Sequence, residues 1–202
     1  QIRDVAGDLR ANTAGYPDFA LKTPDSLKRK VADLLGRFPT MPVDEALRRV
    51  NDSLRYTMEL NPGSYVNGVL DAAAELRRRG FELVETKVRW DNPVRYKGVN
   101  TTWYDPVTRQ YFEVQFHTPA SLAAKEVTHG LYNQQRLLPE NSARWAELDA
   151  QQGAIFGGVE VPPGINRLTA PGWDGWGAAA QGAAQSSPEV PTDEYDYEGQ
   201  PG

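Results

Sequence analysis

Glu113, Gln115 and His117 fall on alternate positions of the stretch Tyr111-Phe112-Glu113-Val114-Gln115-Phe116-His117-Thr118. A period of two is that of a β-strand with one face in a core, here Phe112, Val114 and Phe116. The other face then carries a carboxylate, an amide and an imidazole in a row, about 6.5–7 Å apart. A carboxylate in that setting can accept a proton or hold a metal ion. A rigid strand also keeps its side chains in fixed geometry for a substrate. An amphipathic strand with a wet outer face would give the same pattern.

Four further groups have types and spacings that suit chemistry. Lys22, Ser26 and Arg29 recur at i, i+4 and i+7, with Lys28 and Lys30 alongside. Near a helix N-terminus such a face gathers cations and backbone N–H groups on one polyphosphate, although a solvated basic helix looks the same. Asp52 precedes Arg55 at the start of a strand pattern, and an acid at a sheet edge suits Mg²⁺ or simply a turn. In Tyr96-Lys97-Gly98-Val99-Asn100, a glycine beside a cation lets the backbone approach a ligand closely. Glu126, His129 and Asn133 share a helix face at i, i+3 and i+7. Zinc is the competing chemistry for the two histidines. Their spacing is not that of a zinc protease, and the chain has no cysteine to add a ligand.

These residues need elements to hold them. Thr23-Pro24 marks a helix start, Leu27, Val31 and Leu34 its buried stripe and Gly36 its end. A short helix is predicted over 43–51, a strand from Leu54 to Leu60, and a helix from Tyr65 to Arg79 closed by Gly80. Strands follow over Phe81–Trp90 and Val99–Tyr104, with a turn at Asp105-Pro106 leading into the Glu113 strand. Thr118-Pro119 opens a helix to about Leu137, and a last helix covers 140–152. Mixed strands and helices with a hairpin predict an α+β domain, a sheet with helices packed on it.

The 202 residues suffice for one core plus appendages, and no apolar run approaches a membrane span. Composition divides the chain into a body at 1–160 and a Gly/Pro/Ala-rich acidic tail at 161–202, expected to add nothing to the core. In that tail Trp173 and Trp176 could still pin the first part to the body. The net charge of −5 is concentrated in the tail, where six acids follow Arg167 and no base does. Setting those six aside leaves 22 basic against 21 acidic residues, so the body does not repel an anionic ligand. A start at Gln1 without methionine points to a chain either processed or excised from something longer. A removed secretory signal is one natural cause of processing, and an extracellular protein is the expectation.

Taken in order, Lys22 to Lys30, Asp52-Ser53-Leu54-Arg55-Tyr56, Tyr96-Lys97-Gly98 and Glu113-Val114-Gln115-Phe116-His117-Thr118 resemble the synthetase domain of the RelA/SpoT superfamily over residues 20–137. They correspond to its basic ATP-binding helix, its Asp…Arg strand start, its lysine–glycine acceptor loop and its Glu-x-Gln-x-Arg-Thr strand. Within the superfamily the run Tyr-Lys-Gly-Val-Asn-Thr-Thr-Trp…Phe-Glu-Val-Gln-Phe-His-Thr-Pro is similar to secreted Streptomyces nucleotide 3′-pyrophosphokinases and to toxin-type relatives making (p)ppApp. Three departures matter. The Asp52…Arg55 spacing is shorter than the family's, which leaves the role of Arg55 less defined than that of Asp52. Val99 stands where guanine-preferring members carry a tyrosine, which points to a broader or adenine-leaning acceptor. His117 stands where the family strand has arginine.

The resemblance implies a nucleotidyltransferase-like mixed β-sheet flanked by helices, and transfer of the β,γ-pyrophosphate of ATP to a nucleotide 3′-hydroxyl with release of AMP. It implies Asp52 and Glu113 as catalytic and Mg²⁺-binding residues. Lys22, Ser26, Lys28, Arg29, Lys30 and Arg55 would bind ATP. Tyr96, Lys97, Asn100, Gln115, His117, Glu126, His129 and Asn133 would surround the acceptor nucleotide. No membrane and no stable nucleic-acid partner is implied. The alternatives are an interbacterial toxin domain, with an immunity protein as its partner, and a catalytically inactive nucleotide-binding module.

Overall fold

The computed structural model describes residues 12–13, 23–50, 53–140 and 142–169, with the side chains of Asn12, Thr13 and Ser26 left aside. Lys22 and Asp52, with Trp173, Trp176 and the acidic run, lie outside the described residues. The elements in order are β1 (Asn12–Thr13), α1 (Pro24–Arg37), α2 (Val43–Arg49), β2 (Arg55–Glu59), α3 (Tyr65–Arg78), β3 (Glu82–Val88), β4 (Val99–Asp105), β5 (Gln110–His117), α4 (Pro119–Gln135) and α5 (Ala143–Gly157). Single 3₁₀ turns sit at Pro62–Ser64 and Ile165–Leu168.

The strands form one mixed sheet in the order β1-β2-β5-β4-β3. β2 and β5 run parallel, and the other neighbours run antiparallel. The parallel pair forms because α3 and the β3–β4 hairpin intervene between β2 and β5, which returns the chain in the same direction. The α+β architecture expected from the sequence is the one found. β1 was not legible, since a two-residue strand carries no periodicity.

Alternation along the strands sorts the side chains by face. Met58, Val99, Trp103, Phe112, Val114 and Phe116 enter the main core with Val66, Val69, Ala73 and Leu76 of α3. Burying each of the larger ones contributes roughly 1.5–3 kcal/mol. Tyr65, also fully buried, donates its hydroxyl to Phe116 O at 2.8 Å and accepts from Trp90 Nε1 at 3.2 Å, so its one polar atom is satisfied. A smaller cluster of Leu34, Ala46 and Val50, flanked by Leu27, Val31 and Phe38, joins α1 to α2.

Most helix ends follow the sequence, but α5 starts three residues later and ends five later than the expected 140–152. Thr118 and Ser121 form a reciprocal capping box at the start of α4, with Pro119 in its first turn. Helix α1 runs one residue past Gly36 before stopping. The tail boundary requires correction. Leu168, fully buried, and Ile165 pack on the main core, so the body reaches beyond residue 160. Composition missed this because one short apolar turn is diluted by the Gly/Pro-rich sequence around it.

Candidate active site

The odd-numbered residues of β5 and the residues beside them in register make the polar face of the sheet. Glu113 pairs with Arg55 of β2 on one side and Thr102 of β4 on the other, and Gln115 pairs with Thr57 and Asn100. This face is not wet. Glu113 is 5% exposed, Gln115 1% and His117 0%. Helix α4 lies over it, which is visible in Lys125 Nζ donating to Gln115 Oε1 at 2.8 Å.

Buried polar atoms need partners, and here they have them. Arg55 Nε donates to Glu113 Oε2 at 2.6 Å, while Gln115 Nε2 donates to Oε1 at 3.1 Å. Both carboxylate oxygens are held, and each keeps a lone pair for a further donor or a cation. Burial above all lowers Lys125 to about 8, with Arg55 pushing the same way and Glu113 opposing.

His117 ties the Tyr96–Asn100 loop to the sheet. Tyr96 donates its hydroxyl proton to Asn100 Oδ1 at 2.8 Å, and its oxygen lies 2.9 Å from His117 Nε2. Nδ1 lies 2.9 Å from the Ser121 hydroxyl, so both ring nitrogens are engaged and the tautomer sets which of them donates. Burial, with the Lys125 charge behind it, holds His117 well below the usual imidazole value, so the ring is neutral. Gly98 is where the loop meets this ring. A Cβ there would lie 3.0 Å from His117 Cε1, 3.0 Å from Tyr96 Oη and 3.1 Å from Phe116 O. Only glycine allows that approach.

Between the sheet's polar face, this loop and helices α4 and α5 lies a cleft of about 800 Å³. Glu113, Asn100 and Thr102 form its floor. Tyr96, Tyr132, Trp145 and Phe156 supply aromatic surface, and Lys87, Arg89, Arg95 and Arg136 supply cations. The loop wall is fastened by an ion pair of Arg95 with Asp149. Asp149 also accepts from Gln135 Nε2 at 3.2 Å, and Gln135 Oε1 accepts from Gln152 at 2.7 Å. Arg89 is exposed at the rim and makes no ion pair among the described residues.

Of the residues singled out in the sequence, Glu113, Tyr96 and Asn100 meet at this cleft, with Arg55 and Gln115 against Glu113. Others are elsewhere. Lys97 is 1% exposed and donates to Asn92 O, so its ammonium serves the loop rather than the cleft. Burial lowers its pKa, against the pull of Asp91. His117 is fully buried and cannot touch an acceptor directly; it holds Tyr96 instead. Glu126 is exposed, and neither it nor the half-buried His129 and Asn133 lines the cleft. The face of α4 that does so carries Tyr132, Gln135 and Arg136, with Lys125 beneath. Lys28 and Arg29 are exposed on α1, Lys28 paired with Asp25 at 3.5 Å, and neither these nor Lys30 lines the cleft.

Val99 faces away, fully buried in the main core, while its neighbour Asn100 faces the cleft. The position after the loop glycine therefore presents nothing to a ligand. No group of three or more metal-type ligands occurs among the described residues. Both nitrogens of His117 are already engaged, so a zinc site through this ring has no free donor.

The small alarmone synthetase 2 of Bacillus subtilis superposes on this chain with a TM-score of 0.51, covering 92% of it and 89% of its own length at 12% identity. This is the RelA/SpoT synthetase fold. The small alarmone synthetase 1 of B. subtilis bound to pppGpp aligns with a TM-score of 0.48, 15% identity and coverage of 92% and 87%. A GTP pyrophosphokinase family protein from Streptococcus pneumoniae aligns with a TM-score of 0.48, 12% identity and coverage of 91% and 86%. No family model matches the chain, and no curated protein matches it. At such identities the synthetase fold is shared while side-chain roles rest on the geometry above.

Proposed function

We propose that the protein is an ATP:nucleotide 3′-pyrophosphotransferase, moving the β,γ-pyrophosphate of ATP to the 3′-hydroxyl of a purine nucleotide and releasing AMP. The observation that carries this reading is Glu113, a carboxylate at the floor of a cleft rich in cations and aromatic rings. It sits in the sheet position where the resemblance places the catalytic acid. The fold supports the reading by being that of a pyrophosphate-transferring synthetase.

A ribose hydroxyl is a poor nucleophile, and Glu113 would accept its proton as the O–P bond forms to the β-phosphorus of ATP. The bond from that phosphorus to the oxygen of the α-phosphate breaks, and AMP leaves. Arg89 and Arg136 would meet the acceptor's phosphates, and fixed cations are worth most where charge spreads over the transferring group. With Val99 turned into the core, the acceptor base has Tyr96, Tyr132 and Trp145 to stack on. Flat aromatic surfaces accept either purine, which favours broad choice over strict guanine selection.

The donor set is of the kind Mg²⁺ takes, carboxylate oxygen without sulfur or a free imidazole. Glu113 and Asp52, the latter two positions before Leu54 in the sequence, would hold the ion. When bound it would neutralise charge on the phosphate chain. Leu54 O accepts from Glu113 N–H at 2.9 Å, which brings the start of β2 to Glu113.

Incubation with ATP, Mg²⁺ and AMP, ADP or GDP, followed by mass spectrometry, tests the proposal. The expected products are AMP and a nucleotide heavier by one pyrophosphate. Absence of both with every divalent cation tried rejects it.

A further inference from the structure

Lys125 has no counterpart in the sequence reading, yet it touches the centre of the site. Its Nζ donates to Gln115 Oε1 at 2.8 Å, and Gln115 Nε2 donates in turn to Glu113 Oε1 at 3.1 Å. A glutamine amide can be turned end for end with almost no change in shape, so its neighbours decide which end points where. An ammonium or amine donates here and a carboxylate accepts, so Gln115 between them has one satisfied orientation. We propose that Lys125 is the positioning residue for Glu113: it fixes the Gln115 amide so that the NH₂ end secures one carboxylate oxygen while Arg55 secures the other.

What Glu113 then does rests on the pyrophosphotransfer reading; how it is held does not. Without Lys125 the amide is free to present its carbonyl oxygen to the carboxylate, which repels it. The carboxylate would then be held by Arg55 alone and could swing about that bond. Burial disfavours an ammonium at this site, which fits a lysine retained for its hydrogen bond to Gln115 rather than for stability.

The test is a double-mutant cycle on the full chain, combining Lys125→Met and Gln115→Met. With ATP, Mg²⁺ and a nucleotide acceptor, Lys125→Met should lower kcat roughly 10–100-fold and leave KM for ATP within about twofold, as expected of a misplaced catalytic group. In the Gln115→Met background the same change should have no further effect, because the partner through which it acts is gone. Losses that multiply, or an unaltered kcat in Lys125→Met, overturn the proposal. If Lys125→Met does not fold, Lys125→Leu, which also lacks a donor, enters the same cycle with the same expectation of non-additivity.

A second readout does not need turnover. The side-chain amide signals of Gln115, identified by their loss in Gln115→Met, should shift and exchange faster with solvent in the Lys125 variant. Unchanged signals overturn the proposal even if kcat falls. A wild-type protein that releases no AMP but shows this Lys125-dependent change sinks the pyrophosphotransfer reading alone.

Discussion

Arg55 and Glu113 meet at 2.6 Å across two parallel strands, in register and 58 residues apart in the chain. Their side chains are 10% and 7% exposed. The contact joins β2 to the catalytic candidate on β5, and it offsets a charge that burial would otherwise penalise. Replacing Arg55 with methionine leaves Glu113 buried beside an apolar chain. Unfolding in urea should show a loss of about 3 kcal/mol, far more than a surface ion pair contributes.

Glu113→Gln keeps the shape and removes the base. Turnover should fall at least about 100-fold while the protein remains folded by circular dichroism and still binds nucleotide. Retained turnover would show that another group takes the proton.

Arg89 is the cation at the rim whose removal disturbs no ion pair among the described residues. Arg89→Ala should raise KM for the acceptor roughly tenfold, the worth of one charge-assisted hydrogen bond, with the melting temperature unchanged. Steady-state kinetics with varied acceptor and saturating ATP would measure it.

Gly98→Ala would place a methyl group 3.0 Å from the His117 ring and 3.1 Å from a backbone carbonyl. Neither neighbour can retreat, since the ring is fully buried and the carbonyl belongs to β5. A destabilisation of about 1–3 kcal/mol is expected, with the acceptor loop displaced. Thermal melts and acceptor KM should both report it.

The neutral state of His117 makes stability depend on pH. Its folded pKa lies well below the reference of 6.5, so below that value the unfolded chain takes up a proton that the native one refuses. Stability from this group is therefore complete above pH 6.5 and declines as pH falls, by up to about 1.4 kcal/mol per unit. His129, also lowered by burial and then by Lys125, adds in the same direction. His117→Gln should flatten the acid limb of a plot of unfolding free energy against pH.

Much of this was legible in the sequence because it lies on regular elements. Alternation around Glu113 gave the strand, its faces and the three residues of the polar row, and Thr118-Pro119 gave the start of α4. What the pattern could not say was that the polar row is roofed. Cover comes from α4, and which of its faces docks depends on tertiary packing rather than helical spacing. The same gap hid Lys125, Tyr132 and Arg136 and gave weight to Glu126, His129 and Asn133 instead. Lys97 looked like a ligand cation because a lysine is usually exposed, whereas its loop needed a donor for Asn92 O. The core role of Leu168 lay too far along a low-complexity stretch to show.

Strand β5 writes two messages on one line, letter by letter: Phe112, Val114 and Phe116 spell the interior, and Glu113, Gln115 and His117 spell the polar face roofed by α4. Deleting or inserting a single residue there would exchange the two texts, sending a carboxylate into grease and phenyl rings under that roof. A new letter on β5 changes one word, whereas a change in their number that no bulge absorbs rewrites the whole line.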